Sequence, residues 1–196
     1  MIKRKKISPD TGIHSVAVYL GSGIPKDVVY TNAVIKLGEF LVKNDMTLVF
    51  GGSAMGMMKV LADVVLSNGG KVVGVFTKNI SMKYLHPGLT ESVVMENLAE
   101  RKAEMIRRAD AIVAMPGSFG TLDELFDAIS QRKIPLGGIK TPIGVLNIEG
   151  YYDLLLEFVK HTVDIGFTTP AQEKYLCVGK TPEELFAEFK TIKKPE

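Results

Sequence analysis

The feature that most constrains this sequence is the alternation of short apolar runs, rich in β-branched residues, with longer segments of helical periodicity. The runs typical of strands are residues 15–20, 47–50, 71–76, 91–95, 111–115, 143–148 and 175–178. The segments typical of helices are residues 25–44, 56–68, 97–108, 121–131 and 152–164, with a final one that opens at 181–184. The strand runs are almost continuously hydrophobic, as in parallel strands that are buried on both faces. The pattern therefore predicts a doubly wound, Rossmann-like α/β fold with a mostly parallel sheet of about seven strands flanked by helices.

Length and composition are those of one globular domain. The chain has 196 residues, of which 46% are hydrophobic and 23% are charged, and these values exclude disorder for most of it. Because neither a linker nor a repeat is visible, we predict a single domain over residues 1–196. Basic residues at positions 3–6 indicate a flexible basic tail over residues 1–13.

Charge and cysteine content disfavour several classes of protein. The 24 Lys and Arg residues against 22 Asp and Glu give a net charge of +2, which is too even to indicate a nucleic-acid-binding protein. No apolar run approaches the roughly 18 residues of a membrane span, and no apolar signal-peptide segment follows the basic start. Cys177 is the single cysteine, so no intrachain disulfide can form, which fits a reducing compartment. We therefore expect a cytoplasmic protein without nucleic-acid or membrane partners.

Four loops are candidates for a ligand site because they follow strands. In open α/β sheets, ligands bind beyond the carboxyl ends of the strands. The first loop begins with Gly21, Ser22 and Gly23, the second runs from Gly51 to Gly56, and the third is residues 116–120. Residues 76–90, which follow the third predicted strand, form a fourth. Glycine-rich loops that lead from a strand into a helix present backbone N–H groups and a helix dipole to an anion. We therefore expect a ligand that carries phosphate.

Neither of the two best-known phosphate loops is complete in this sequence. A P-loop has a lysine directly after its second glycine, but Met57 follows Gly56 and Lys59 comes two positions late. The dinucleotide fingerprint has a third glycine where this chain has Lys26. P-loop chemistry and binding of NAD or FAD are therefore disfavoured. The three histidines, at positions 14, 86 and 161, are too far apart for metal-ligand spacing, so we expect no metal site.

Two charged motifs admit both a functional and a structural interpretation. Glu124 follows the third loop, where its carboxylate could lie beside a sugar phosphate, but Thr121-x-x-Glu124 also has the form of a helix-capping box. Arg101 and Lys102 follow Glu100 at the start of a predicted helix. They could belong to a site or to an ordinary solvated helix face. From these residues alone both alternatives stay open.

Together, these motifs resemble the LOG ("lonely guy") family of cytokinin-activating enzymes, which are often labelled lysine decarboxylases. The resemblance rests on the glycine-rich loop of 51–56, the Glu-Arg-Lys of 100–102 and the Pro-Gly-x-x-Gly-Thr-x-x-Glu of 116–124. It extends over residues 15–189 and includes the stretches GLTESVVMENLAERKAEM, PIGVLNIEGYYDLLLEF and TPEELF.

The resemblance implies an enzyme, a nucleoside 5′-monophosphate phosphoribohydrolase. Such an enzyme cleaves the N-glycosidic bond of an adenosine 5′-monophosphate, with or without an N6 modification, to free base and ribose 5-phosphate, and needs no cofactor. It implies that Arg101 and Glu124 are the catalytic pair and that Lys102 helps to hold the ligand. The other residues that it implies for substrate or phosphate binding are Gly21, Ser22, Gly51, Gly52, Ser53, Gly56, Pro116, Gly117, Ser118, Phe119, Gly120 and Thr121. It also implies a homodimer or larger homo-oligomer with the sites near the subunit interface.

Four positions depart from the pattern of the family. Ser53 and Ser118 stand where the family usually has glycine, and a serine is strained if the backbone there needs a positive φ. Ala99 and Gln131 replace a usual histidine and a common aromatic residue, which concerns the base pocket more than the catalytic pair. The two serines favour an alternative, a non-catalytic nucleotide-binding protein of the same fold. A phosphotransferase on this fold is a further alternative. The intact Arg101 and Glu124 favour the hydrolase.

The predicted helix over 25–44 bears on the oligomeric state. Its apolar residues spread over more than the roughly 100° stripe of a helix that is buried on one side. This width also indicates association with a second copy.

Overall fold

The computed structural model describes residues 12–78, 82–134 and 138–192 of the chain. Of the predicted basic tail over 1–13, all but the last two residues lie outside these ranges. The strands are β1 (Ser15–Tyr19), β2 (Thr47–Phe50), β3 (Val72–Thr77), β4 (Glu91–Met95), β5 (Ala111–Ala114), β6 (Ile143–Leu146) and β7 (Leu176–Gly179). The helices are α1 (Val28–Lys43), α2 (Gly56–Ser67), α3 (Leu98–Arg107), α4 (Phe119–Arg132), α5 (Asp153–Asp164), α6 (Pro170–Glu173) and α7 (Pro182–Thr191).

The strands form one parallel sheet in the order β4-β3-β2-β1-β5-β6-β7. This order confirms the doubly wound α/β fold. The helix α6 was not predicted, because a helix of four residues is too short to show a helical period. Thr169 and Gln172 cap it reciprocally. No helix within the described ranges combines the length and the apolar character needed to cross a membrane.

Helices cover both faces of the sheet and enclose two hydrophobic cores. One core packs side chains of α1, α2 and α7 on the face of β1 that carries Val16 and Val18. The other packs α3, α4 and the start of α5 on the face that carries Ala17. The alternation follows from the pleat, which turns successive side chains of a strand to opposite faces.

The wide apolar surface of α1 has an explanation within the chain. Gly38 lies directly against Val64 of α2, and the ring of Phe40 lies 4.8 Å from that of Phe186 of α7. Because α1 contacts the sheet and two neighbouring helices, it needs apolar residues around more of its circumference than a surface helix does. The width of this pattern is therefore no evidence for a second copy of the chain.

The strand order places a topological switch point between β1 and β5. From β1 the chain continues to β2 on one side, whereas β5 pairs with β1 on the other. The loops that follow β1 and β5 therefore leave the sheet in opposite directions and open a crevice at its carboxyl edge. The Cα of Gly117, after β5, would lie 3.6 Å from a Cβ placed on Gly21, after β1. The two predicted glycine loops thus meet in this crevice.

Candidate functional site

A buried ion pair lies at the carboxyl edge of the sheet. Nη1 of Arg101, from α3, donates to Oε1 of Glu124, from α4, over 2.8 Å. The two residues are 8% and 7% exposed. Nε of Arg101 also donates to the carbonyl of Val75 in β3 over 2.9 Å. This second hydrogen bond fixes the position of the guanidinium beside the carboxylate. Interpreting Arg101 as part of a solvated helix face is therefore wrong.

Gly51 makes room for this ion pair. A Cβ placed on Gly51 would collide with the Nη2 atom of Arg101. The resemblance implied that Gly51 takes part in binding the substrate or its phosphate, but its clearest role in the structure is steric. It lets the guanidinium pass the end of β2 and reach Glu124.

Glu124 is not part of a capping box. Helix α4 begins at Phe119 with Ser118 as its N-cap, so Thr121 lies inside the first turn and Glu124 lies beyond it. The capping interpretation took Thr121 as the N-cap, which is three residues later than the observed N-cap Ser118. Burial raises the pKa of the Glu124 carboxyl above its ordinary value, and the Arg101 guanidinium partly offsets that rise.

A cavity of about 350 Å³ opens over the ion pair. Its lining residues from the predicted set are Gly21, Ser22, Gly51, Ser53, Arg101, Ser118, Gly120, Thr121 and Glu124. Met55, Met58, Phe76 and Tyr84 form its apolar side. The cavity therefore combines backbone N–H groups, an ion pair and an apolar wall, which suits a ligand with a phosphate, a polar centre and a flat apolar group.

The first turn of α4 is open to a ligand. Ser118 occupies the N-cap position with extended backbone, but its side chain makes no capping hydrogen bond in the described part of the chain. By contrast, Asp27, Asn97 and Thr181 each cap their helices through a side-chain oxygen. The first N–H groups of an α-helix have no intrahelical acceptor. Ser118, Gly120 and Thr121 of this first turn line the cavity, so the free donors of α4 are placed to bind an anion.

Five further predicted residues lie next to this cavity rather than on its wall. Gly52 and Gly56 have positive φ values of 75° and 52°, which shape the turn before α2. Pro116 and Gly117 line a neighbouring cavity of about 260 Å³. The side chain of Phe119 is 89% exposed. These residues shape the loops or their surroundings.

Lys102 does not point into the cavity. Its Nζ lies 3.0 Å from both carboxylate oxygens of Asp123 and 3.8 Å from Oδ1 of Asp127. These acidic side chains belong to α4, so Lys102 links α3 to α4 on the outer side of the ion pair. The described residues show no cluster of His, Cys, Asp and Glu side chains able to hold a metal ion.

The two serine departures impose no backbone strain. Ser118 has a φ of −104°, and Ser53 is not among the described residues with positive φ. Oγ of Ser53 accepts a hydrogen bond from the Met55 N–H over 3.2 Å. Ala99 is exposed, and Gln131 binds Asp127 over 2.9 Å. Neither of these two residues lines the cavity.

Several residues of the site were missed by sequence reasoning. Met55 and Met58 both line the cavity, but a methionine beside a loop carries no local signal of ligand binding. Tyr84 belongs to the loop after β3, which the strand-end rule selects, but nothing marks this tyrosine locally. His86, two residues after Tyr84, is buried, and its Nε2 lies 3.0 Å from Oδ1 of Asp63. Its backbone N–H donates to the Gly52 carbonyl over 2.8 Å, which holds the Tyr84 segment beside the second glycine loop.

Known proteins resemble this chain in sequence over most of its length. A family model described as "possible lysine decarboxylase" matches residues 58–189. The "probable cytokinin riboside 5′-monophosphate phosphoribohydrolase LOGL2" of Oryza sativa subsp. japonica is 36% identical over 87% of this chain and 69% of its own length. The "cytokinin riboside 5′-monophosphate phosphoribohydrolase LOG7" of Arabidopsis thaliana is also 36% identical, over 87% of this chain and 78% of its own length.

A solved structure supports the fold independently. The X-ray structure of a protein designated TM1055 superposes with a TM-score of 0.66 over 91% of this chain and 99% of its own. At 22% identity, this likeness concerns the fold alone. The sequence relatives and the matched family model, in contrast, identify the lineage: this chain belongs to the LOG family, as the Arg101 and Glu124 motifs indicated.

Proposed function

We propose that this protein is a nucleoside 5′-monophosphate phosphoribohydrolase, which converts an adenosine 5′-monophosphate, N6-modified or not, to the free base and ribose 5-phosphate. The observation that carries the proposal is the buried Arg101–Glu124 pair beneath the open first turn of α4. The two sequence relatives are named as phosphoribohydrolases of cytokinin riboside 5′-monophosphates, which supports this reaction class. The cavity offers one feature for each part of such a substrate.

The phosphate binds at the start of α4 in this proposal. The N–H groups of residues 118–121 and the helix dipole attract the dianion, and the hydroxyl of Thr121 lies beside Gly117 in the same turn. Anchoring the phosphate here places the sugar over Glu124, which lies one turn further along the helix. The base then extends toward Met55, Met58 and Tyr84 on the apolar side.

Glu124 supplies the negative charge that the reaction needs. When the bond between C1′ and the base nitrogen breaks, the bonding pair leaves with the base and the sugar becomes cationic. Arg101 occupies Oε1 of Glu124, and Oε2 has no partner in the described part of the chain. This second oxygen stabilises the cationic sugar and orients the water whose oxygen bonds to C1′. One water proton is transferred to the departing base.

Arg101 has two roles in this scheme. It holds the carboxylate in one orientation through Oε1, and its fixed positive charge stabilises electron density on the departing base. Its own position is held by the Val75 carbonyl, so little reorganisation is needed when charge develops.

We further propose that the protein acts as a homodimer or larger homo-oligomer. No residue of α5 is fully buried within the described part of the chain. Its apolar side chains Leu154 and Phe158 are 80% and 58% exposed. Phe126 of α4 lies on the same side of the sheet and is also exposed. Large apolar side chains left exposed on one side of a protein mark an interaction site. The exposed Phe119 lies beside the cavity, so a second copy on this surface would come near the site.

The site of action that we propose is the cytoplasm. Cys177 is buried and unpaired, and burial raises the pKa of its thiol to about 11. An unpaired thiol is typical of proteins in reducing compartments.

Release of free base tests the proposed function directly. Purified protein is incubated with AMP, with an N6-modified AMP and with the corresponding nucleosides, and the products are separated chromatographically. We expect base and ribose 5-phosphate from the monophosphates and far less turnover of the nucleosides. Binding of the monophosphates without any release of base would instead support the non-catalytic nucleotide-binding protein.

A further inference from the structure

The turn after β6 brings two consecutive tyrosines to the loop that follows β5. Glu149 and Gly150 both adopt positive φ, at 49° and 70°, which reverses the chain sharply. Asn147 holds the turn: its Oδ1 accepts from the Tyr152 N–H over 2.8 Å, and its Nδ2 donates to Asp153 over 2.7 Å. A non-glycine residue with positive φ is strained and persists only where its surroundings enforce it. Here the surroundings place Tyr151 and Tyr152 against the β5 loop.

The two hydroxyl groups bind two carbonyls of that loop that are separated by one residue. The buried Tyr152 hydroxyl donates to the Met115 carbonyl over 2.6 Å, and the Tyr151 hydroxyl donates to the Gly117 carbonyl. The ring of Tyr151 lies between two others, 5.9 Å from Tyr30 and 5.0 Å from Tyr152. These edge-on ring contacts hold the Tyr151 side chain in place.

The bond from Tyr151 determines which way a peptide group faces. The Gly117 carbonyl and the Ser118 N–H belong to the same peptide, and no cis peptide occurs among the described residues. In a trans peptide the oxygen and the hydrogen point in opposite directions. Tyr151 lines the neighbouring cavity on the α1 side, whereas Ser118 also lines the cavity over Glu124. A carbonyl held toward Tyr151 therefore turns the Ser118 N–H toward the proposed phosphate position.

We propose that Tyr151 is a positioning residue for phosphate recognition. Its hydroxyl holds the Gly117–Ser118 peptide in the orientation that presents the Ser118 N–H to the phosphate, and this inference rests on the proposed function. Among the described residues, no carbonyl accepts a hydrogen bond from the Ser118 N–H, so this donor is free for an anion. Without the tyrosine hydroxyl, the glycine at 117 lets the peptide rotate and present its carbonyl oxygen, which repels phosphate.

The test is the affinity of the intact protein for ribose 5-phosphate, measured by calorimetry for the wild type, Tyr151→Phe and Tyr30→Phe. Tyr30→Phe is the matched control, because Tyr30 lines the same cavity and its hydroxyl makes no hydrogen bond with the described residues. We expect Tyr151→Phe to raise the dissociation constant about five- to tenfold, since one oriented hydrogen bond is worth about 1 kcal/mol. Tyr30→Phe is expected to change it less than about twofold.

A second readout separates positioning from a merely structural role. Tyr151→Phe is expected to raise KM for AMP by the same factor while kcat and the turnover of adenosine, which has no phosphate, stay near wild type. An equal loss with AMP and adenosine, or wild-type affinity for ribose 5-phosphate, would overturn the proposal. Failure of the wild type to bind ribose 5-phosphate would overturn it as well. If the wild type binds ribose 5-phosphate but releases no base, the hydrolase proposal fails while the titrations still decide the role of Tyr151.

Discussion

Glu124 is the residue whose charge the proposed chemistry depends on most. In Glu124→Gln the amide oxygen can still accept the hydrogen bond from Arg101, so we expect the fold to survive with a Tm within about 4 °C of wild type. The negative charge, however, is gone. Base release should therefore fall by about 10²–10⁴-fold, or about 3–5 kcal/mol of barrier. Melting and base release are measured on the same preparation. A folded variant within about threefold of wild-type turnover would remove Glu124 from the mechanism.

The pH dependence of the reaction follows from the same carboxylate. Burial raises the pKa of Glu124 in the folded protein. On acidification, Glu124 therefore takes up its proton, and the enzyme loses its active ionised form, at a higher pH than an exposed glutamate would. The acid limb of kcat/KM should lie above the ordinary glutamate pKa of 4.5. Stability changes in the opposite sense: the contribution of this group is largest below its unfolded pKa and declines as the pH rises through its folded pKa. An acid limb at or below the ordinary value would contradict the assignment of Glu124 as the ionised group.

At the scale of elements, α3 brings Arg101 across the end of β2 only because Gly51 has no side chain. We expect Gly51→Ala to displace the guanidinium from Glu124 and to lower kcat/KM by at least about tenfold, since ion-pair geometry controls the orientation of the carboxylate. Gly23→Ala is the matched control, because a Cβ there meets no atom within 4 Å. Base release by the two variants provides the comparison, and equal activity of both would show that the close approach of α3 does not matter for the reaction.

At the scale of the whole molecule, the exposed apolar surface of α4 and α5 accounts for the proposed oligomer. Phe158→Glu places a charge in that surface and should convert the assembly to a species of 21.4 kDa in size-exclusion chromatography with light scattering. Burial of an unpaired charge disfavours association strongly. Val28→Glu changes an exposed apolar residue of α1, on the opposite face of the sheet, and is expected to leave the assembly intact. A wild type that is already monomeric at micromolar concentration would refute the proposal.

Much of the architecture could be predicted because its signals are local. Apolar runs of four to six residues, such as the one that became β3, reflect strands buried on both faces. Strand-end glycines and the motif ending at Glu124 mark the edge where ligands bind in this fold. Because these patterns depend on neighbours a few residues apart, the doubly wound class and the position of the candidate site could be predicted from the amino-acid sequence, and the motifs indicated the family.

Which partner each side chain binds depends on the tertiary structure. Lys102 stands next to Arg101 in the chain, yet Lys102 binds Asp123 on the outer side while Arg101 is buried against Glu124. Similarly, Thr121-x-x-Glu124 has the sequence pattern of a capping box, but in the folded chain α4 begins earlier, at Phe119. Tyr151 reaches Gly117 across 34 positions. Such contacts depend on distances between elements that are remote in sequence, and burial then selects which charges are paired and which donors remain free.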